Sequence, residues 1–298
     1  MVSLPDGVLG MADRDESWAQ WVDRLPSLAE GLLHDWELSE DGLAQHGFVA
    51  LVLPVRARDG GEAMLKISYP DEETEYEHLA LQHWHGNGAA RLLRADPRRR
   101  ALLLERLHFE KLTEVPELEA CEIVAGLYSR LHVPAPPQLR PLSESAARWG
   151  EELAALPRDT PVPHRLVEQA TALARDFAAD PGTDGRLVHG DLHYLNVLAA
   201  EREPWLVIDP KPVSGDPHFE PAPMLWNRWD EIVATGQVRD AVRRRFHTLV
   251  DVAGLDEGRA RDWVVLREVL NAVWSLDEPE QDEDEVTTSV TIAKAVQD

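Results

Sequence analysis

The stretch Leu187-Val-His-Gly-Asp-Leu-His-Tyr-Leu-Asn-Val-Leu198, with Trp205-Leu-Val-Ile-Asp-Pro-Lys211 a short loop later, decides how the rest of this chain reads. Two short apolar runs of strand type, Arg186 to Val188 and Trp205 to Ile208, each deliver an aspartate to the loop that follows. Asp191 and Asn196 stand in a D-x-x-x-x-N spacing, and Asp209 closes the second run. These residue types suit phosphoryl transfer. A transferring phosphoryl group is stabilised mainly by charge and position, and magnesium, a hard cation, prefers oxygen ligands. Asp191 is therefore the candidate to accept the proton of an attacking hydroxyl, with Asn196 and Asp209 as candidate metal ligands.

The D-x-x-x-x-N spacing is that of a kinase catalytic loop. The run His189-Gly-Asp-Leu-His-x-x-Asn196 with Ile208-Asp-Pro-Lys211 resembles the aminoglycoside phosphotransferases, most of all the branch that acts on streptomycin and hydroxyurea, from about Trp36 to about Trp274. That resemblance implies an α+β, bilobal, protein-kinase-like fold: a small β-rich N-terminal lobe over residues 1–107 and a larger α-helical C-terminal lobe over 108–298. It implies ATP-dependent O-phosphorylation of a small molecule, with ATP and Mg2+ as cofactors. It places Lys211 near the γ-phosphate or paired with Asp209, and His189 close to the phosphates. One departure stands out. Where the branch has an aspartate after Asp-Pro-Lys, this chain has Phe219-Glu220-Pro-Ala-Pro, so Glu220 keeps the charge on a longer arm.

Composition narrows the partners. At 298 residues and 44% hydrophobic, the chain can bury a core as one large domain or two lobes. A net charge of -24 opposes binding to nucleic acid or to an anionic membrane surface and favours a cationic small molecule. No apolar run approaches membrane-spanning length and Met1 to Gly10 lacks the features of a signal peptide, so the expected location is the cytoplasm. Cys121 is the single cysteine, which excludes an intramolecular disulfide and a cysteine-based zinc cluster. Of the lysines, Lys66 and Lys211 fall inside candidate site motifs.

The chain before the central motif supplies the nucleotide candidates. Asp15 to Leu33 has apolar residues at helical spacing interrupted by Pro26, which predicts one kinked helix or two short ones. Trp36 to Pro54 reads as strand, turn, strand, with Gly42 and Gly47 in a turn that can serve as a phosphate clamp or as a plain hairpin. Asp59-Gly-Gly61 is a hairpin signal leading into the strand Glu62 to Tyr69, which carries Lys66 inside an apolar stretch. That lysine needs an anion. The following helix, predicted over Asp71 to Trp84, offers several glutamates, and the family resemblance favours Glu77. His78, His83 and His85 lie on that helix and its end and predict no metal site. Gly86-Asn-Gly88 is read as a helix-ending turn into a strand Ala90 to Leu93, and Ala101 to Leu107 as a buried strand. The resemblance makes Glu105 to Leu107 the interlobe hinge, where adenine would meet backbone groups.

From Thr113 the pattern turns helical: Val115 to Leu131, Ser143 to Leu156, Pro163 to Ala179, and after the motif Phe219 to Ile232, Arg239 to Val252, Glu257 to Leu276 and Val286 to Val296. Asp277 to Glu285 is a dense acidic run, read as a solvated connector with an electrostatic funnel as the alternative. Candidate substrate contacts are Glu220, Trp226, Asp230, Glu231 and Trp274. No protein-kinase A-P-E segment follows Asp209, which points to a small acceptor. A metal-dependent hydrolase using His189, Asp191, His193 and Asp209 is the alternative enzyme class, but it gives Asn196 and Lys66 no task. A nucleotide-binding module without catalysis leaves the full set Asp191, Asn196, Asp209 and Lys66 unexplained.

Overall fold

The computed structural model describes residues 2–276 and 283–297. The chain separates into two compact units, Met1–His108 with Ala200–Arg202, and Phe109–Ala199 with Glu203–Asp298. The return of residues 200–202 to the first unit has no counterpart in the sequence pattern.

The first unit begins with α1 (Asp6–Leu9), a 3-10 turn and α2 (Glu16–Asp35). Asp15 caps α2 by accepting from the Ser17 and Trp18 amides at 2.7 and 3.1 Å. Pro26 does not divide this helix, because Trp21, Val22, Leu25, Ala29 and Leu32 form one buried stripe that holds both sides of the proline. An antiparallel sheet follows, built from β1 (Leu38–Glu40), β2 (Gln45–His46), β3 (Ala50–Ala57), β4 (Glu62–Ser68), β5 (Leu92–Asp96) and β6 (Ala101–Glu105). Its order is β1-β3-β4-β6-β5, with β2 also on β3. Leu51, Leu53 and Val55 of β3 and Ala63, Leu65 and Ile67 of β4 share a core with the α2 stripe. Strand alternation therefore turns Lys66 to the opposite face.

Helix α3 (Glu77–Trp84) starts later than predicted. The Thr74 hydroxyl donates to Asp71 and to the Tyr69 carbonyl, and Asp71 accepts from the Thr74 amide. These local bonds replace the first turns of the expected helix. The strand after Gly88 also starts later, at Leu92, with its register shifting between Leu92 and Arg94.

The second unit holds α4 (Glu117–Leu131), α5 (Leu142–Ala155) and α6 (His164–Ala179). Two small antiparallel ribbons come next, β7 (Arg186–Val188) with β10 (Val213–Gly215), and β8 (Val197–Ala199) with β9 (Trp205–Val207). The predicted helix Phe219 to Ile232 is two helices, α7 (Ala222–Trp226) and α8 (Trp229–Ala234), broken at Arg228 with φ 55. The fully buried Arg245 guanidinium donates to the Asn227 and Arg228 carbonyls, satisfying the groups that a continuous helix would have used. Arg245 lies on α9 (Val238–Ala253), which is followed by α10 (Glu257–Trp274) and α11 (Glu283–Ala295). Leu142, Ala146, Phe177, Trp263, Leu266 and Leu270 form the centre of the core. Residues 277–282 of the acidic run lie outside the described residues.

Candidate active site

Each short ribbon ends by handing a loop to the site, and the two loops are stitched together by backbone. After β7 the chain turns at Gly190, φ 82, where a Cβ would collide with the Lys211 carbonyl oxygen. Only glycine permits that approach. The Lys211 amide donates to the His189 carbonyl at 2.9 Å, and the Ile208 amide donates to the Asn196 carbonyl at 2.9 Å. The His189 ring is fully buried; Nε2 donates to the Ile208 carbonyl at 2.9 Å and Nδ1 accepts from the Asp191 amide at 3.3 Å. Both ring nitrogens are thus turned to the backbone of the loops. The ring serves as the rivet between the loops. Asp209 adopts the left-handed conformation, φ 57, a strained setting for a residue without glycine's freedom.

Asn196 is buried, and its Nδ2 donates to the Asp191 carbonyl at 2.8 Å and lies 3.3 Å from His193 Nε2. The amide hydrogens are thus spent on the loop, which leaves Oδ1 as the oxygen to offer a cation. The Lys211 ammonium lies 3.2 Å from Asp191 Oδ2, and His193 Nε2 lies 3.9 Å from the same oxygen. Burial holds the His193 pKa below its ordinary value, against the opposing pull of Asp191. The residue types fit magnesium, which prefers oxygen donors: a carboxylate from Asp209 and an amide oxygen from Asn196. Among the described residues no three His, Cys, Asp or Glu side chains gather as a metal-binding cluster.

Glu220 is also fully buried, which corrects its placement as a substrate contact. Its Oε1 accepts from the His189 amide and, at 3.4 Å, from the Gly190 amide, and it lies 3.6 Å from His132 Nε2. Burial acts to raise this carboxyl, but His132 and His189 outweigh it and hold the pKa below the ordinary value. The longer arm of glutamate therefore still reaches the loop amides. Arg267, which the sequence reading missed, secures the other side. Its guanidinium donates at 3.1 Å to both the Gly190 and Phe219 carbonyls, 4.0 Å from the Phe219 ring centroid and 5.5 Å from that of Trp226. Its one sequence signal is a cation inside the otherwise buried run Trp263 to Leu270 of α10. Tyr194 forms the floor, with its hydroxyl 3.5 Å from Cys121 Sγ and its ring under Arg228 and Arg245.

The remaining substrate candidates scatter. Trp226 adjoins the loop through Arg267. Glu231 is engaged by Arg228 through two bonds of 2.7 and 2.6 Å, and Asp230 is exposed. Trp274 donates to Glu152 at 2.9 Å and meets Trp149 edge-on.

Within the first unit, Lys66 Nζ lies 2.8 Å from both Glu77 carboxylate oxygens, and both side chains are buried. The Glu105 carboxylate is held by Arg202 at 2.6 Å and by the Arg91 amide at 2.8 Å, while its own amide donates to the Arg91 carbonyl. Leu107 lies two residues past the end of β6, half-buried. Gly42 has φ 149 and lies against Pro54, and Gly47 donates to the Ala50 carbonyl across the turn from β2 to β3.

A model of the aminoglycoside/hydroxyurea antibiotic resistance kinases matches residues 35–279. The chain belongs to this family. It is 42% identical to streptomycin 6-kinase of Streptomyces glaucescens, over 99% of this chain and 97% of that protein. It is 44% identical to hydroxyurea phosphotransferase of Kitasatospora aureofaciens, over 88% of this chain and 76% of that protein. Among solved structures, choline kinase of Streptococcus pneumoniae superposes with a TM-score of 0.61 at 13% identity, covering 92% of this chain and 99% of that one. An aminoglycoside phosphotransferase bound to ADP and hygromycin B gives 0.59 at 17% identity, covering 90% and 96%. The fold is thus that of the protein-kinase-like small-molecule kinases, and the chain is a phosphotransferase with a small-molecule substrate. The hydrolase alternative has no support. No described helix is long and apolar enough to cross a membrane.

Proposed function

We propose that this kinase transfers the γ-phosphoryl group of ATP to a hydroxyl of a cationic, streptomycin-like aminocyclitol in the cytoplasm. Asp191 orients the hydroxyl and takes its proton late, as the oxygen–phosphorus bond forms and the bond to the ADP leaving oxygen breaks. Asn196 and Asp209 hold Mg2+, which when bound neutralises charge on the phosphates. Lys66, fixed by Glu77, grips the α- and β-phosphates, the segment from Gly42 to the β2–β3 turn at Gly47 covers them, and backbone groups of Glu105 to Leu107 take adenine. The observation that carries this reading is the stitched pair of loops, which sets the Asp191 carboxylate against Lys211 while leaving an Asn196 oxygen for a cation.

The end-to-end match to a streptomycin 6-kinase and the charge of -24 support the acceptor class. A coupled ADP-release screen over streptomycin-type aminoglycosides, amino sugars and hydroxyurea, with and without magnesium and at two ionic strengths, tests it. The expected result is magnesium-dependent turnover of a cationic acceptor whose KM rises with salt, since screening acts over about 8 Å at physiological strength. Preference for neutral hydroxyurea with a salt-independent KM would replace the acceptor and keep the kinase.

A further inference from the structure

The family match begins at residue 35, yet the residues before it are built into the first unit. Val2, Val8 and Met11 are buried in the same core as Leu51 and Leu53. This segment leans on the turn that joins β2 to β3. Gly7 of α1 lies so close to the His46 ring at the end of β2 that a Cβ there would require the ring to move.

Arg14 completes the contact. Its Nη2 donates to the Phe48 carbonyl at 3.2 Å, and its guanidinium carbon lies 4.5 Å from the Trp18 ring centroid and 4.8 Å from that of Phe48. The sandwich is anchored from below. Trp18 stacks on Tyr69 at 3.7 Å, the Ser17 and Tyr69 hydroxyls are 2.6 Å apart, and the Tyr69 amide donates to the Val49 carbonyl at 2.8 Å. Phe48, at the tip of the turn, is 78% exposed, so the turn has little burial of its own to fix it.

We propose that Arg14 is a positioning residue for the nucleotide: it holds the Gly47-Phe48 backbone in place, so that the turn meets the phosphates already ordered. The inference rests on the proposed reading of the segment from Gly42 through β2 to the Gly47–Val49 turn as the part that covers the phosphates. A flexible loop ordered only on binding weakens affinity by the cost of ordering it, and a pre-set loop avoids that cost. Arg14 itself touches no substrate, so its loss acts on nucleotide binding and leaves the chemical step alone.

The test uses the full chain with Arg14→Ala, Arg14→Lys and Gly47→Asp, measuring the ATP Kd by calorimetry together with KM and kcat. Gly47→Asp reports on the turn itself, because its Cβ meets only Ala50 at an ordinary 3.8 Å while its carboxylate would repel phosphates. Arg14→Ala should raise the ATP Kd and KM about five-fold, the size expected for losing exposed cation–π contacts, with kcat at saturating ATP and the acceptor KM unchanged and Arg14→Lys intermediate. If Arg14→Ala proves unstable, Phe48→Ala removes the other face of the sandwich and should give the same rise. Weaker ATP binding in Gly47→Asp with none in Arg14→Ala overturns the role of Arg14 and keeps the turn. Unchanged ATP binding in both overturns the reading of the turn and the proposal with it. A fall in kcat equal to the rise in KM also overturns it.

Discussion

The Lys211 ammonium sits 3.2 Å from the Asp191 carboxylate, across the two loops that the His189 ring rivets together. The pair fixes the direction of a carboxylate that carries the proton in the proposed mechanism. Asp191→Asn keeps the shape and removes the base. Turnover should fall about 10²- to 10⁴-fold, with the ATP Kd within a few fold of the parent. A variant retaining near-parental turnover would remove Asp191 from the mechanism.

Asp209, a proposed magnesium ligand in a left-handed backbone conformation, follows Ile208, whose amide donates to the carbonyl of Asn196, the other proposed ligand. A methyl group cannot bridge a cation to phosphates, so Asp209→Ala should abolish the magnesium dependence of ATP binding. Calorimetric titration with and without magnesium reads this directly. An unchanged magnesium effect would count against the ligand assignment.

Glu220 predicts a third outcome. Its carboxylate accepts from the amides of His189 and Gly190 from a fully buried position. Glu220→Gln removes the charge that those donors face, at a cost of about 1.5–3 kcal/mol typical of hydrogen bonds to charged groups. Both melting temperature and kcat should fall, with the ATP Kd little changed. Glu220→Asp should be almost as damaging, because the shorter arm no longer reaches. Parental kcat in both variants would show that the loop orders itself.

The two loops were legible because the proposed chemistry demands few residue types at fixed spacing: the sequence names Asp191, Asn196 and Asp209, and the fold joins their loops through the Ile208 amide on the Asn196 carbonyl and the Asn196 side-chain amide on the Asp191 carbonyl. Lys66 was legible as a cation inside an apolar strand that needs an anion, while only the family resemblance singled out Glu77 from the neighbouring glutamates; the fold pairs the two. The supports were not legible. Glu220 looked like a substrate contact because sequence cannot tell a carboxylate facing solvent from one facing two buried amides, and Arg267 looked like any helical arginine. Arg245 broke a helix that periodicity ran straight through, by binding carbonyls from another part of the chain. Long-range partners of this kind leave no local pattern.

Glu268 carries a pH prediction. It is fully buried on α10, and burial pushes its pKa up to about 8, against the opposing pull of Arg267. The folded protein therefore binds a proton at Glu268 that the unfolded chain, with its ordinary glutamate, has lost above about pH 4.3. Stability from this site is complete below that pH and is lost progressively as pH rises towards 8, because the folded state binds more protons than the unfolded one across this window. Glu268→Gln mimics the protonated form at every pH. Its melting temperature should match the parent near pH 4 and exceed it increasingly up to pH 8, at about 2–4 °C per kcal/mol for a chain of this class. Thermal melts of both proteins across that range decide the matter; a difference that does not grow with pH would mean that Glu268 is ionised in the fold.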